Sequence, residues 1–588
     1  MFTASIIGSA PLTTQWFKDG ALLPGETTAQ LVISNAQAAE TGNYQMLVSN
    51  FLGTTISPIA RLTVLPAKPS FSLQPVAVGA VVGSSVTFAS LAVGSGDGLN
   101  PIKCSWYFQN NLLPGQSNFN LLIPSITAGN QGAYYVVASN LYGMATSDVA
   151  QLTVYLPPSF QTGLSNQVVE KGETIVLNPN ATGTPALAYR WSFGLTQISN
   201  TAAILTLTNI TLAQSGFYSV TVTNLYGSVS STGRISVVLP ACEVTAWGDD
   251  SEGQTDVPTN LDNAVAVAGG DYHSVAIRRD GTLIAWGFDG EGQIDVPTNS
   301  LRFVSIAVGG DHNLAIAEDG SVVAWGRNDF GQTTVPASVT GVLSVAAGDS
   351  HSLALLESGT VIAWGDDTYG QIDLPSVLAG YWVYWWNYYV PPEPSVAIAA
   401  GHDHSLALMY DGTVVGWGDN SSGQASVPAG LSNVVAIAAG YLHSVALNSD
   451  GTVFAWGDNS FGQTNVPAGL TNVVAIAAGD FHTLALLSNG RIVSWGNDSF
   501  GQLDVPPSLN NAVGIASGYY TGMALVPFRP TLQANMTAGG LVIKCNATGI
   551  LQWAPSPIGP FTDLPSQGNM WTNSNMSVGA QFFRLRSQ

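Results

Sequence analysis

Between residues 243 and 526, short apolar runs alternate with glycine- and asparagine-rich turns on a regular beat. In the copy from Val434 to Thr464 the runs are VVAIAA, HSVAL and TVFAW, parted by Gly440, by Asp450-Gly451 and by Gly457-Asp458-Asn459. No apolar i, i+3, i+4 pattern persists for the ten or so residues that a helix requires. The pattern predicts three strands per unit, with a weaker fourth around Gln-Thr-x-Val. Asp-Gly or Asn-Gly pairs at 280–281, 319–320, 411–412, 450–451 and 489–490 mark hairpins. The turn expected there is type I′, which needs positive φ at both central residues.

Two markers keep the beat. Trp-Gly pairs begin at Trp247, Trp286, Trp325, Trp364, Trp417, Trp456 and Trp495, at steps of 39, 39, 39, 53, 39 and 39. His273, His312, His351, His404, His443 and His482 follow the same register, and Thr521 stands in the seventh place. A period near 40 residues suits a propeller blade or a helical solenoid, and the strand pattern selects the blade. The array opens on one lone strand, Cys242–Gly248, and ends on two strands that lack a third. Joining them closes a seven-bladed β-propeller over residues 241–527.

Residues 1–240 carry a different unit three times. Trp16, Trp106 and Trp191 precede Tyr44, Tyr134 and Tyr218, each closing a Gly-x-Tyr triplet. The spacing resembles an immunoglobulin sandwich, with a core Trp and a tyrosine corner. Where that family carries its second cysteine, this chain has Met46, Val136 and Val220, so apolar packing alone must hold the sandwiches, as in many bacterial immunoglobulin-like modules. The expected domains are 1–66, 67–156 and 157–240, joined by short proline-containing linkers that act as a semi-extended stalk. Phe2–Ser5 reads as strand B, so the first sandwich is expected to be incomplete at its N-terminus. Residues 528–588 read as a small β module with strands around 541–543, 551–553 and 582–585. The fold class is therefore all-β throughout.

Composition narrows the functional classes. The chain has 37 acidic and 16 basic residues, a formal charge of −21. The propeller holds 29 of those acids and 5 of the bases. Such a surface repels nucleic acid and anionic membranes, because phosphate binding needs clustered Lys and Arg. No apolar run reaches the length of a membrane span, and no basic segment followed by an apolar one opens the chain at Met1. Cys104, Cys242 and Cys545 lie in three different segments and give no disulfide framework. The expected protein is a monomer without membrane insertion, without nucleic-acid partners and without a cofactor.

The unit AAG-x-x-HS-x-AL-x-x-DGTV-x-AWGDNS-x-GQ resembles the regulator of chromosome condensation repeat over residues 241–527. Its blades are shorter than those of the eukaryotic founder, which exchanges nucleotide on a small GTPase. They look closer to a bacterial propeller that inhibits β-lactamases. The resemblance implies a propeller with a habit of binding and leaves the partner open.

Candidate contacts lie on both propeller faces. If AIAAG runs towards one face, the Gly-x-x-His loop turns there, and in the β-lactamase inhibitor that face carries an aromatic ring of contacts. The matching positions are Tyr272, Asp311, Ser350, Asp403, Leu442, Phe481 and Tyr520, with Tyr441 and Tyr519 close by. Phe330, Tyr369, Phe461 and Phe500 in the Trp-Gly loops are further candidates, with packing between blades as the alternative. The excess in the fourth unit holds Tyr381, Trp382, Tyr384, Trp385, Trp386, Tyr388 and Tyr389. It is placed on the Asp-Gly turn face, either as an anchor for a ligand or as a lid on its neighbours. The six in-register histidines read as structural, each bonding a neighbouring backbone, and His402 reads as a lone surface residue. Acidic loops such as 249–252, 289–291 and 366–367 lack the spacing of a calcium loop.

No nucleophile elbow, phosphate loop or paired catalytic carboxylates stand out. The sequence therefore points to a non-enzymatic extracellular or cell-surface protein that presents its propeller to a protein or a glycan. Two alternatives stay open at this point: a regulator of a small GTPase by family analogy, and a propeller enzyme acting on polysaccharide through acids in its channel.

Overall fold

The computed structural model describes residues 1–527 except 35, 37, 66, 95–100, 299, 384–387 and 391, and the backbone of strands between 532 and 586. Side chains of 38, of 381–390 and of the last segment lie outside the description. The chain forms two compact units, one of Met1–Gln161, Asn180–Tyr189 and Thr221–Val229, the other of Thr162–Pro179, Arg190–Val220 and Ser230–Gln588.

The first unit contains the first two sandwiches. In each, a core tryptophan lies on one strand opposite the residue that replaces the missing cysteine: Trp16 pairs with Met46 and Trp106 with Val136. All four are buried. The indole N–H groups donate to Thr28 O and Asn118 O, both at 2.9 Å. The tyrosine corners follow, with Tyr44 Oη donating to Glu40 O at 2.6 Å and Tyr134 Oη to Asn130 O at 2.9 Å. Aromatic stacking fills the place of a disulfide, Phe2 on Tyr44 at 4.8 Å and Phe88 on Tyr134 at 4.9 Å. Phe2–Thr3 pairs with Gln30–Leu31 just as Val86–Phe88 pairs with Leu121–Ile123, so the opening residues do act as strand B.

In the second unit, parts of the third sandwich sit against the propeller. Arg234 is buried and donates to Val342 O at 2.8 Å and Leu343 O at 3.3 Å, with its guanidinium 5.9 Å from the Phe217 ring. Burial lowers its pKa to about 10. Asn166 donates to Glu318 O, and Glu170 pairs with Arg279. Arg279 and Glu318 each precede an Asp-Gly turn, as does Tyr410, whose hydroxyl lies 3.4 Å from that of Thr196, so the sandwich meets that face at the first four blades.

Each blade has three antiparallel strands, for example Val434–Ala439, His443–Asn448 and Val453–Gly457. The middle strand is buried on both sides because it lies between neighbouring blades. Cys242–Gly248 pairs along its whole length with Thr521–Pro527 and closes the ring as a seventh blade. The expected fourth strand does not form. The Gln residues of the Trp-Gly loops turn inward, and their Oε1 atoms cap backbone N–H groups such as Phe461 N at 3.0 Å. The following residues close short turns instead of a ladder, as with Asp256 N–H to Gly253 O. The hairpins also differ from type I′. Only the glycine takes positive φ (82° at Gly281), and Asp280 accepts from the backbone N–H and the hydroxyl of Thr282. A three-residue loop ending in a left-handed glycine has this form.

After Ser376–Ala379, which forms one helical turn, Tyr381–Val383 pairs with Tyr388–Val390, placing Trp382 opposite Tyr389. The chain re-enters the blade where Ser395 N–H donates to Gly359 O, on the Asp-Gly turn face. Beyond the propeller, Leu532–Thr537, Gly540–Cys545 and Met570–Asn573 form one sheet, and Thr562–Asp563, Ile550–Ala554 and Phe582–Arg586 another. Both contain the strands read from the sequence.

Replacing Arg234 with Met strands two buried carbonyl oxygens. The expected loss is about 1–3 kcal/mol, read as a lower urea midpoint, and an unchanged midpoint would show that the contact contributes nothing.

Candidate binding site

The conserved-looking beat of His, Ser, Gln and Trp turns out to be one hydrogen-bonded unit passed from blade to blade. His404 Nε2 lies 2.9 Å from Ser444 Oγ, Ser444 Oγ donates to Gln424 O at 2.8 Å, and Trp456 Nε1 donates to the same oxygen at 2.9 Å. Because the serine proton is given to the carbonyl, the serine accepts from the imidazole, which fixes the neutral Nε2–H tautomer. His312, His351 and His443 repeat the pattern on Ser352, Ser405 and Thr483, and His273 meets Asn313. The histidines are structural, and in five of the six the Nε2 partner is a side chain of the next blade. Burial holds their pKa values near 3 to 4.

The acidic loops are likewise internal fittings. Asp419 and Asp458 accept from the Nε2 of Gln424 and Gln463 at 2.7 and 2.8 Å. Asp250, Asp289, Asp367 and Asp498 each accept from the backbone N–H five residues on. Among the described residues no three His, Cys, Asp or Glu side chains converge on a metal position.

The inner strands converge on the Gly-x-x-His face. Each motif glycine lies so close to the next blade that an added Cβ would overlap that blade's glycine carbonyl and, in six blades of seven, the imidazole beside it. The residue after each glycine rims the axis: Asp271, Gly310, Asp349, His402, Tyr441, Asp480 and Tyr519. Their N–H groups form a closed ring of bonds, each to the next blade, at 3.1 to 3.3 Å. This rim surrounds a cavity of about 100 Å³.

The face has two unlike halves. On one side the aromatic candidates form a continuous crescent. Phe481 touches Tyr441 at 5.4 Å, Phe461 at 5.2 Å, Tyr519 at 6.0 Å and Tyr520 at 5.9 Å. Tyr519 continues to Tyr272 at 5.9 Å, and Tyr520 to Phe500 at 4.5 Å. On the other side stand Asp311, Arg327, Asp349, His402 and Asp403. His402 Nδ1 lies 2.6 Å from Asp403 and its Nε2 3.8 Å from Asp349. Burial opposes the charge on His402, but its bond to Asp403 and the field of Asp349 raise its pKa overall.

The structure thus brings together Tyr272, Tyr441, Phe481, Tyr519 and Tyr520, along with Phe461 and Phe500. Phe330 and Tyr369 stand apart and exposed, with Arg327 placed 5.9 Å from the Phe330 ring. Tyr384, Trp385 and Trp386 lie outside the described residues, as do the side chains of Trp382, Tyr388 and Tyr389. His402 is not a lone surface residue; it belongs to the rim, as do Asp271 and Asp480. Their signal in the sequence is position alone, one residue beyond the motif glycine.

Fold and site together define a propeller of regulator of chromosome condensation repeats carried behind immunoglobulin-like sandwiches. The RCC1-like domain matches residues 295–514, the Regulator of chromosome condensation (RCC1) repeat residues 264–293, and the Immunoglobulin I-set domain residues 158–237. Human Roundabout homolog 1 is 30% identical over 251 residues, 38% of this chain and 15% of that protein. Human Leucine-rich repeats and immunoglobulin-like domains protein 1 is 26% identical over 272 residues, 41% of this chain and 24% of that protein. The chain therefore spans less than a third of these curated relatives. Among solved structures, Prp20p from Saccharomyces cerevisiae is 19% identical with a TM-score of 0.41, covering 49% of this chain and 92% of that one. The ectodomain of the Physcomitrella patens receptor kinase CR4 is 20% identical with a TM-score of 0.35, covering 48% and 71%.

Two outcomes follow from the blade-to-blade unit. Ser444→Ala leaves His443's neighbour, His404, with a buried N–H and no acceptor, at an expected cost of about 1–3 kcal/mol in thermal or urea unfolding. The buried histidines favour the neutral form, so their contribution is full above pH 6.5 and is lost as pH falls towards their folded values. Asp271 and Asp480 act in the opposite sense, since their raised pKa values favour the protonated fold. The histidines outnumber them, so the melting temperature should fall between pH 6.5 and 4. A flat profile would contradict the neutral, buried assignment.

Proposed function

We propose that this chain is a non-enzymatic binding protein of the cell exterior, in which immunoglobulin-like sandwiches hold out a propeller whose Gly-x-x-His face engages a protein or a glycan. One observation carries the reading: the aromatic crescent from Tyr272 through Tyr519 and Phe481 to Tyr441, continuous, half-buried and reaching a central cavity at Tyr519. Aromatic side chains supply large contact area at low entropic cost, and interface hot spots are enriched in them. The similarity of the sandwiches to Roundabout and related immunoglobulin-domain proteins supports the exterior setting. No helix among the described residues is long and apolar enough to cross a membrane. The alternative contact is the aromatic segment at 381–390, whose flanking Ser395 lies on the Asp-Gly turn face.

The test is a binding screen of the full chain on glycan and surface-protein arrays. A Phe481→Ala/Tyr519→Ala variant and a Trp382→Ala/Trp385→Ala/Trp386→Ala variant run beside it. Binding reduced at least tenfold in the first variant, at unchanged melting temperature, is the expected result. Loss only in the second moves the site to the other face, and no ligand on either array overturns the reading.

A further inference from the structure

We propose that the axial cavity takes one organic cation, the guanidinium or ammonium head of an arginine or lysine side chain projecting from a protein partner. The assignment rests on the binding reading above and narrows its ligand from protein or glycan to protein.

The rim is chemically lopsided. Of its seven positions three are carboxylates, Asp271, Asp349 and Asp480, and one is a base, His402. That base is already engaged, through Nδ1 with Asp403 at 2.6 Å. Arg327 turns outward to Asp329 at 2.9 Å and comes within 4.0 Å of Asp311, and only its longer-range field reaches Asp349. Among the described residues no donor bonds the carboxylates of Asp271 or Asp480, while the backbone N–H groups of both are spent in the ring around the axis. The carboxylates of Asp271, Asp349 and Asp480 also repel one another across the opening.

Without a cation that repulsion is relieved by protonation, and a cation relieves it while the carboxylates stay ionised. The aromatic wall adds to the same preference. Tyr519 lines the cavity beside Asp480, with Phe481 and Tyr441 next in the crescent, and a cation over such a ring gains about 0.5–2 kcal/mol, more as it is desolvated. The Gly310 spoke carries no side chain, and the Asp349 carboxylate occupies the space that a Cβ there would take. A cavity of about 100 Å³ holds several waters, which an entering side-chain head can displace. A carboxylate also accepts two parallel N–H bonds from a guanidinium, a geometry that sets arginine apart from a simple ion.

Burial and mutual repulsion push Asp271 up to about 7 and Asp480 well above the usual carboxylate range. A cation must therefore draw off protons, and its affinity should rise with pH. His402 acts in the same direction, because losing its proton frees Asp349 and Asp403. Tyr519, which lines the cavity, and Tyr272 and Tyr441 beside it are held above the ordinary phenol value, by burial first in each and then by the bond to Tyr520 for Tyr519 and by the acids for the other two. They stay neutral through this range.

The experiment titrates the full chain with N-acetylarginine amide and N-acetyllysine amide, with N-acetylcitrulline amide as the neutral match in shape. Calorimetry and saturation-transfer NMR supply the readouts. The expected result is saturable binding of the cations, at least tenfold weaker for citrulline and tighter at pH 8 than at pH 6. Asp271→Asn/Asp480→Asn should cost at least a further tenfold at unchanged melting temperature. Should that pair fail to fold, the arginine-to-citrulline ratio in the unaltered protein and the single Asp349→Asn change decide the matter. Equal binding of citrulline, or full binding by the Asn variants, overturns the proposal. So does calcium chloride or tetramethylammonium binding where the amino-acid amides do not, since either would assign the cavity to a small ion. If an array ligand is lost in Phe481→Ala/Tyr519→Ala but unaffected in Asp271→Asn/Asp480→Asn, the face binds its partner without the cation, and only this inference fails.

Discussion

Everything at the propeller axis depends on seven glycines, from Gly270 to Gly518, that let neighbouring blades approach more closely than any side chain would allow. Their closeness lets the following N–H groups reach across to the next blade and complete a ring of bonds. It also restricts which positions can face the opening. One residue after the glycine points at the cavity, the next builds the aromatic or charged rim, and the third is the histidine locked to its neighbour. Scaffold and recognition surface therefore share four consecutive residues per blade. The scaffold keeps the first and last of these nearly invariant, while the middle two vary freely, from Asp-Tyr to Tyr-Leu to His-Asp.

Repetition made the fold readable. Trp and His in one register, with a strand missing at one end and a surplus pair at the other, are enough to dictate closure of the ring. The Trp and Tyr spacing did the same for the sandwiches, because a core indole and a tyrosine corner need no cysteine to be recognisable. What misled was local chemistry. Gln-Thr-x-Val looks like a strand by propensity, but the preceding glutamine consumes the loop's N–H groups. Asp-Gly looks like a two-residue turn, but the aspartate prefers to cap the threonine beyond it. The aromatic half of the site was visible as a departure from the repeat. The carboxylate half was not, since an Asp beside a Gly reads as one more turn residue until the inner strands are seen to converge.

The same distinction explains the charge. A surplus of 29 acids over 5 bases in the propeller suggests a uniformly repulsive surface. Many of those acids are instead short hydrogen-bond acceptors inside their own loops, bonded to Gln amides, Ser and Thr hydroxyls and main-chain N–H groups. Aspartate outnumbers glutamate here because the shorter side chain can reach its own backbone two to five residues away. The negative field is a by-product of loop construction, and at the rim it becomes available for recognition.

The two joints that flank the seventh blade are made differently. Where the next blade should offer a hydroxyl to His482, the chain has Gly522, and any side chain there would strike the indole of Trp247. His482 Nε2 consequently has no acceptor, although Trp247 still donates to Gln502 O at 3.0 Å. The seventh blade is thus assembled from both ends of the array and lacks the imidazole link on both of its sides, since Thr521 stands where its own histidine would be. Such a wheel has a built-in weak sector: under tension or heat it would open at the seventh blade, and the first six would come away as an intact arc.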